Sequence, residues 1–396
     1  RETDTSKHKQ MSKINVRSPF YISITATNLT SCQLELFIYT GTQTSSRPSA
    51  ATYTLNSFAV DNVCTFEIAE LVRDYFDNEF DGDYSTSIFW VDYRTTNTIQ
   101  TTVGSATAFT QLKGFYGYGF FEDGVQNNTL NSDTSAATTS YINNKAVLQS
   151  NTKIVKLDDA PAVIAVDRSL ATRVTYLKNG TQVYTEEITS TTNSSTQIKY
   201  VTSGVNGSDE FEDRVIQDGG IFEGSDCLTN FSKEFTLFDF DTILVDSSLG
   251  VTKLTVTNEE ECKFTPLKIT FINKYGTLQD IWFFKRSNEA LTTKTEDFKK
   301  NIISAASYDI SKHQNKTLEK NGKEKLTLNT GYYPEAYNDV FKEMQLSEDC
   351  WIEIDSKTLP IKVTSSSFAY KTQLNDKIIN YTIEVEFAFD TINNVR

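Results

Sequence analysis

The residue types that most often carry catalysis are scarce in this sequence. Its 396 residues include two histidines, His8 in a polar leader and His313 in a stretch rich in Lys and Asn. A serine or cysteine nucleophile needs an adjacent general base, and here that base would have to be His313. Because no apolar pattern surrounds His313, the sequence predicts a solvated loop residue rather than a member of a catalytic triad.

Cysteines and carboxylates give no sharper signal. The five cysteines are scattered and lack the C-x-x-C spacing of a zinc site: Cys32, Cys64, Cys227, Cys262 and Cys350. We expect buried free thiols, and a Cys32–Cys64 bridge across neighbouring strands stays open. Asp and Glu total 52, so a carboxylate-based glycosidase remains an alternative, but no pair of acids stands out.

One acidic segment loosely imitates a calcium-binding loop. The segment Asp77–Asp83 carries acids at its first, third and fifth positions, followed by Gly82. The twelfth position of such a loop needs a bidentate acid, and that position is Ile88, which cannot ligate. A solvated turn is the simpler interpretation, and Ca2+ binding at this segment stays an alternative.

Two aromatic segments could form either a core or a binding surface. Phe115–Phe121 and Trp282–Phe284 predict core strands, with a sugar-stacking platform as the alternative. Gly117-Tyr118-Gly119 lacks the helix that follows a phosphate-binding loop and instead predicts close backbone packing. We therefore predict no catalytic, cofactor-binding or metal-ligating residues, no cofactor and no enzyme activity.

Charge and hydropathy limit the partners. The formal net charge is −14, which disfavours direct binding to a nucleic-acid backbone. No apolar run approaches the roughly 18 residues of a membrane span, and no secretory signal is recognisable. The polar residues 1–10 predict a flexible leader or expression remnant, with Met11 as the natural start.

Periodicity predicts a mainly β protein with two short helices. Tyr21–Thr25, residues 34–39 and residues 87–93 read as strands, and Asn179-Gly180 is a strong hairpin signal between two strand patterns. Two sets of apolar residues have helical spacing. They are Ile68, Leu71, Val72, Tyr75 and Phe76, and Tyr337, Val340, Phe341 and Met344 behind Pro334 as the first helical residue.

The final strand pattern is the clearest, with alternate apolar residues from Tyr381 to Phe389 on one face. Polar stretches over 125–152 and 287–322 predict long loops that reach neighbouring subunits and become ordered only in an assembly. The chain length suggests several domains. We predict tandem β-sandwich domains over 11–150, 151–265 and 266–396, the first and last each with one packed helix.

Three segments resemble uncharacterised virion proteins of tailed bacteriophages, especially phages from marine and Bacteroidetes-associated settings. The first is Asn15–Tyr21, the second is Leu267–Phe284, and the third runs from Thr330 to Val340 and from Tyr370 to Phe387. The resemblance covers the first fifth and the last third of the chain. It implies a structural component of the tail, baseplate or neck, located in the virion, and it supplies no functional residue.

These observations favour a virion structural protein that forms a symmetric ring. Its expected partners are copies of itself and neighbouring virion proteins, without direct nucleic-acid contact or a membrane span. The alternative is a carbohydrate- or receptor-binding module that contacts a host glycan through exposed aromatic residues. An enzyme is the third and weakest class.

Overall fold

The computed structural model describes residues 13–119, 145–158, 160–203, 240–304, 306–365, 369–370 and 378–392. Of the described residues, 54% lie in strands and 5% in helices, so the predicted mainly β class is confirmed. The chain divides into two compact units, residues 1–260 with 272–280 and residues 261–271 with 281–396. The predicted leader lies outside the described residues.

The first part of the first unit contains a six-stranded sheet, a separate pair of strands and one helix. Its elements in chain order are β1 (Lys13–Asn15), β2 (Tyr21–Thr25), β3 (Leu29–Tyr39), β4 (Tyr53–Phe58), β5 (Val63–Glu67), α1 (Ala69–Arg73), β6 (Phe89–Ile99), β7 (Thr102–Val103) and β8 (Thr110–Phe115). The sheet has the order β1-β8-β6-β3-β4, with β7 on β6, and β2 pairs separately with β5. β1 runs parallel to β8 and is the edge strand of this sheet among the described residues.

Helix α1 confirms the first helical pattern but is shorter than that pattern. Ile68, Ala69 and Val72 are buried, whereas the helix ends at Arg73 and leaves Tyr75 partly exposed. The Tyr75 ring instead makes an edge contact with Phe89. The apolar spacing therefore continues past the helix because the following chain also packs on the sheet.

The second part of the first unit is another antiparallel-rich sheet. Its strands are β9 (Lys153–Leu157), β10 (Val163–Asp167), β11 (Ala171–Lys178), β12 (Thr181–Glu187), β13 (Ile198–Thr202), β14 (Thr242–Ser247) and β15 (Gly250–Glu259). The order is β12-β11-β14-β15-β9, and β10 pairs with β13. Asn179 and Gly180 have φ of 50° and 79°, the left-handed geometry that favours Asn-Gly in a two-residue turn. The predicted hairpin is confirmed.

Both parts of this unit contribute to one apolar cluster. Its buried members come from either side of residue 150 and from the turn after residue 272: Tyr39, Ile88, Trp90, Phe115, Leu148, Ala165, Ile198 and Tyr275. Residues 11–150 and most of 151–265, which the sequence treats as separate domains, consequently lie in the same compact unit.

The second unit contains most of a seven-stranded sheet and one helix. The elements from residue 267 onwards are β16 (Leu267–Ile272), β17 (Leu278–Phe283), β18 (Lys285–Lys299), β19 (Ile303–Ser304), β20 (Ser307–Tyr308), β21 (Asn315–Asn329), β22 (Tyr333–Pro334), a 3-10 turn (Glu335–Tyr337), α2 (Asn338–Gln345), β23 (Cys350–Ile354), β24 (Lys357–Val363), β25 (Ile378–Ile379) and β26 (Thr382–Phe387). The sheet order is β17-β16-β23-β24-β26-β21-β18.

Helix α2 presents the predicted apolar face, since Val340, Phe341 and Met344 are fully buried. Its predicted start at Pro334 is wrong. Pro334 has φ −59° and ψ 144° and pairs with Ile378 in an extended conformation, so the 3-10 turn follows it and the α-helix begins at Asn338. The fixed φ of proline fits extended backbone as well as a first helical turn.

The last strand is shorter than its alternating pattern. Ile383 and Val385 are buried as predicted, whereas Phe389 lies beyond β26 and is exposed. The alternation of apolar residues predicts burial as far as β26 extends, and among the described residues nothing covers Phe389 beyond its end.

The predicted loop over 287–322 is a β-hairpin instead, formed by β18 and β21. Alternation of apolar and polar residues marks a strand only when one of its faces is buried. Both faces of β18 and of the outer part of β21 are exposed. These strands therefore carry few apolar residues, show no alternation and resemble a loop in sequence. The other predicted loop lies outside the described residues except for residues 145–152.

Candidate interaction surface

The most prominent surface feature of the second unit is the hairpin of β18 and β21, with the short β19–β20 hairpin at its end. We call residues 285–329 the arm. From Asn288 to Glu296 the ladder with β21 is regular, and shifts of register occur between Lys285 and Asn288 and after Glu296. The arm is thus one continuous antiparallel ribbon of 15-residue strands.

The base of the arm is anchored in the core. Residues Lys325–Asn329 of β21 pair with β18 on one side and with β26 on the other. Leu326 and Leu328 are buried there. Further out, the Asn321 side chain bonds to Asp390 and to the carbonyl of Ile392. Hydrogen bonds therefore hold the arm to the rest of the second unit as far as about residue 321.

Beyond that point the arm exposes large apolar side chains. They are Phe298, Ile303, Tyr308, Ile310 and Leu318, with Leu291 nearer the base. Ile310 is 88% exposed and Ile303 66%. Apolar side chains concentrated on a projecting element are typical of a contact surface.

The charge of the arm differs in sign from that of the rest of the chain. Residues 285–329 contain ten Lys and Arg against six Asp and Glu, a net charge of +4, so the other residues carry −18. Opposite potentials favour association and orient the two surfaces that meet. The arm is consequently suited to bind an acidic protein surface.

A buried charge cluster lies in the first unit. Lys13 of β1 forms an ion pair with Asp167 of β10, and both side chains are 1% exposed. Lys113 faces Lys13 across the β1–β8 ladder and donates to Gln197 Oε1 at 2.9 Å. Asp167 Oδ1 also accepts from the hydroxyl and backbone N–H of Ser169. The cluster fastens β1 to β8 and β10.

Burial and charge shift the pKa values of Asp167 and Lys113 in this cluster. Burial acts to raise the pKa of Asp167, but the charge and hydrogen bond of Lys13 and the bonds from Ser169 outweigh it and hold the pKa below its usual value. Burial lowers the pKa of Lys113 to about 8, with the attraction of Asp167 opposing and the repulsion of Lys13 adding to that shift. Two lysines share one carboxylate, so a cation is held in the interior at neutral pH.

The candidate catalytic histidine lies on the arm. His313 is exposed, between β20 and β21, so the prediction of a solvated residue is confirmed. Cys32, Cys64 and Cys350 are free and buried, as expected of structural thiols. Cys262 is free but exposed, which corrects that expectation for one residue, and Cys227 lies outside the described residues.

The acidic segment Asp77–Asp83 forms an irregular loop after α1. The Asp83 backbone N–H donates to Asp81 Oδ1 at 3.1 Å, a local turn bond. Ile88, at the twelfth position, is fully buried. Within the described residues, no group of three or more His, Cys, Asp and Glu side chains is arranged to hold a metal ion.

The aromatic segments belong to the interior where they are described. Phe115, Tyr116, Tyr118, Phe283 and Phe284 are buried, so the predicted core role is confirmed for them. A methyl group on Gly117 would lie 2.5 Å from the Lys274 carbonyl oxygen. The glycine is thus needed for close backbone packing, as its spacing among aromatics predicts.

Two features of the described residues, the arm and the buried charge cluster, were not predicted from the sequence. The arm lacks the apolar alternation of a strand. Lys13 and Lys113 are charged residues in strand patterns, where the expected position is a solvated face. Only the apolar neighbours Leu112 and Phe115 hint that Lys113 is inside.

None of the described helices is long and apolar enough to cross a membrane. No protein-family model matches this chain, and no curated protein matches its sequence.

Proposed function

We propose that this chain is a structural component of a bacteriophage virion, in the tail, baseplate or neck, that assembles into a symmetric ring through protein–protein contacts. Two independent observations support the proposal. The sequence segments around Leu267–Phe284 and Thr330–Phe387 resemble virion proteins, and the second unit carries a projecting arm with exposed apolar residues.

The arm is the observation that carries the proposal. A two-stranded ribbon alone is marginally stable in water, because ordering each residue costs roughly 1–2 kcal/mol and little apolar area is buried in return. An element of this kind gains stability when a partner covers its apolar side chains. Since the rest of the chain is acidic and the arm is basic, a neighbouring copy offers a complementary surface.

The competing carbohydrate-binding function loses its main support. It depended on exposed rings in Phe115–Phe121 and Trp282–Phe284, and most of the described members are buried. Trp282 is half-buried and stacks on Phe284. The remaining exposed rings, such as Tyr308 on the arm and Phe58 on β4, lie on different elements and different units.

The test is the mass and symmetry of the purified full chain, measured by light scattering after gel filtration and by negative-stain electron microscopy. We expect a closed ring. A triple variant at the end of the arm, Ile303→Ser, Tyr308→Ser and Ile310→Ser, should dissociate it without unfolding the protein, because all three side chains are exposed.

A matched control replaces exposed apolar residues elsewhere, namely Val60→Ser, Val103→Ser and Val251→Ser, and should leave the ring intact. A wild-type chain that stays monomeric at high concentration would refute the ring. A monomer that binds glycans on an array would favour the carbohydrate-binding function instead.

A further inference from the structure

Among the described residues, no strand lies beside the outer edge of β18, which carries a long row of backbone groups. β18 is the last strand of the seven-stranded sheet, and within the described part of the chain its only strand neighbour is β21. All of its residues except Ser287 are exposed. An edge of this length is a template for adding another strand.

This edge lacks several protections found on natural sheet edges. Natural edges are usually short or interrupted by proline or a bulge. β18 spans 15 residues and contains no proline. From Asn288 to Lys299 it carries no extra residue, because the register shift after Glu296 places the extra residue, Leu318, on β21. Thr occupies positions 292, 293 and 295. Threonine favours extended backbone, so this stretch is well suited to accept a partner strand.

We propose that the partner is β18 of a second copy, paired antiparallel about a two-fold axis. In such a pair, a residue that lies a given number of positions before the axis in one copy faces the residue that lies the same number of positions after the axis in the other copy. Opposite residues in an antiparallel ladder must both direct their backbone groups at the partner or both away from it. The axis must therefore lie between the two copies of one residue, so that this residue faces itself. Each possible register of the two strands is then defined by the residue at the axis.

The charges eliminate most of these registers. An axis at a charged residue sets that residue opposite its own copy, so that like charges face each other. This excludes the axes at Glu289, Lys294, Glu296 and Asp297. An axis at Thr293 sets Glu289 against Asp297 of the second copy. An axis at Phe298 leaves only three pairs inside the strand. Like charges directly opposite each other destabilise a ladder.

The remaining axes differ in what they bring together. Axes at Ala290, Leu291 and Thr292 pair no opposite charges within the regular stretch. An axis at Leu291 would set Lys285 opposite Asp297 and Arg286 opposite Glu296. Both basic residues lie outside the stretch that starts at Asn288, and Lys285 already bonds Glu261 at 2.6 Å. Of these axes, the one at Thr295 pairs opposite charges within the continuous stretch of β18 from Asn288 to Lys299.

The Thr295 register gives nine residue pairs, from Leu291 opposite Lys299 to the reverse. Lys294 faces Glu296 of the second copy, twice by symmetry, and Thr293 faces Asp297. The result is one four-stranded sheet made from two arms, which satisfies the edge on both copies. Because a two-fold contact closes on itself, it is distinct from ring contacts and does not depend on the proposed virion role.

The first test is disulfide trapping in a Cys227→Ser, Cys262→Ser background. Directly opposite residues in an antiparallel pair have Cα atoms about 4.5–5.5 Å apart, within the range of a disulfide. Thr295→Cys should form a covalent dimer on oxidation. Leu291→Cys and Lys299→Cys should not do so separately, but an equimolar mixture of the two should. A covalent dimer of Leu291→Cys alone, or none with Thr295→Cys, would overturn the register.

The second test reverses charges. Lys294→Glu or Glu296→Lys alone should raise the dimer dissociation constant at least tenfold in analytical ultracentrifugation, and the double variant should restore it. Lys312→Glu, at the end of the arm, should have no effect. A double variant as weak as either single one would contradict the pairing. If rings form but Thr295→Cys gives no covalent dimer, the strand pairing is refuted and the proposed function is not. If the covalent dimer forms but no ring is seen, the proposed function is refuted and the strand pairing is not.

Discussion

Replacing Lys113 by methionine should make the first unit more stable at neutral pH and abolish a rise in its stability with pH. Lys113 is 5% exposed, and burial lowers its pKa from 10.5 to about 8. Methionine retains most of the aliphatic volume. The substitution removes an interior cation together with its bond to Gln197.

The sign follows from where each state holds the proton. Between pH 8 and 10.5 the unfolded chain keeps a proton on Lys113 that the folded chain releases, so stability rises with pH. The shift corresponds to about 3 kcal/mol in total, of which about 2.5 kcal/mol is gained by pH 10. At pH 7 the variant has no buried ammonium group to keep charged, but it loses a hydrogen bond and a contact with Trp90. The net gain in the free energy of unfolding should be about 1–2 kcal/mol.

The assay is urea unfolding at pH 7 to 10, followed by Trp90 fluorescence in a Trp282→Phe, Trp351→Phe background. Trp90 lies 5.6 Å from the Lys113 ammonium group, measured to the ring centroid. The difference between wild type and variant cancels other groups that titrate in this range. A difference that is constant from pH 7 to 10, or a variant clearly less stable at pH 7, would refute the reasoning.

Two further pairs of substitutions separate packing from exposure. Gly117→Ala should destabilise the first unit by about 1–3 kcal/mol, since its methyl group would overlap the Lys274 carbonyl. Gly180→Ala, where space is open, should cost only about 1 kcal/mol from its positive φ. Equal losses of stability for the two variants in urea unfolding would contradict the packing argument. Phe341→Ala should cost the second unit about 3–5 kcal/mol, whereas Phe298→Ala on the exposed arm should change the melting temperature little; similar effects would show that the arm is part of the core.

Local signals in the sequence were enough for elements whose chemistry is local. Asn179-Gly180 supplies its own turn geometry, and the spacing of Val340, Phe341 and Met344 describes one face of a helix. The mainly β class follows from the same patterns. Element ends were less accurate, because Tyr75 and Phe389 continue an apolar spacing after the helix or strand has ended.

The arm and the buried cluster required information that the sequence does not hold locally. A ribbon with two exposed faces has no apolar period, so residues 287–322 resemble a loop. The Lys13–Asp167 pair joins residues 154 positions apart, and neither partner differs locally from a surface residue. Long-range charge pairing of this kind becomes visible only when the strands are in place.

Strand β21 has a mechanical consequence for whatever the arm contacts. In the outer part of the arm β21 pairs with β18, while at the base of the arm Lys325–Asn329 are bonded to β18 on one side and to β26 on the other. The hydrogen bonds of antiparallel strands run perpendicular to the strand axis. A pull along the arm therefore loads both ladders in shear, with many bonds sharing the force at once, whereas a sideways pull would peel β18 away one bond at a time. The arm is built to resist traction along its own length.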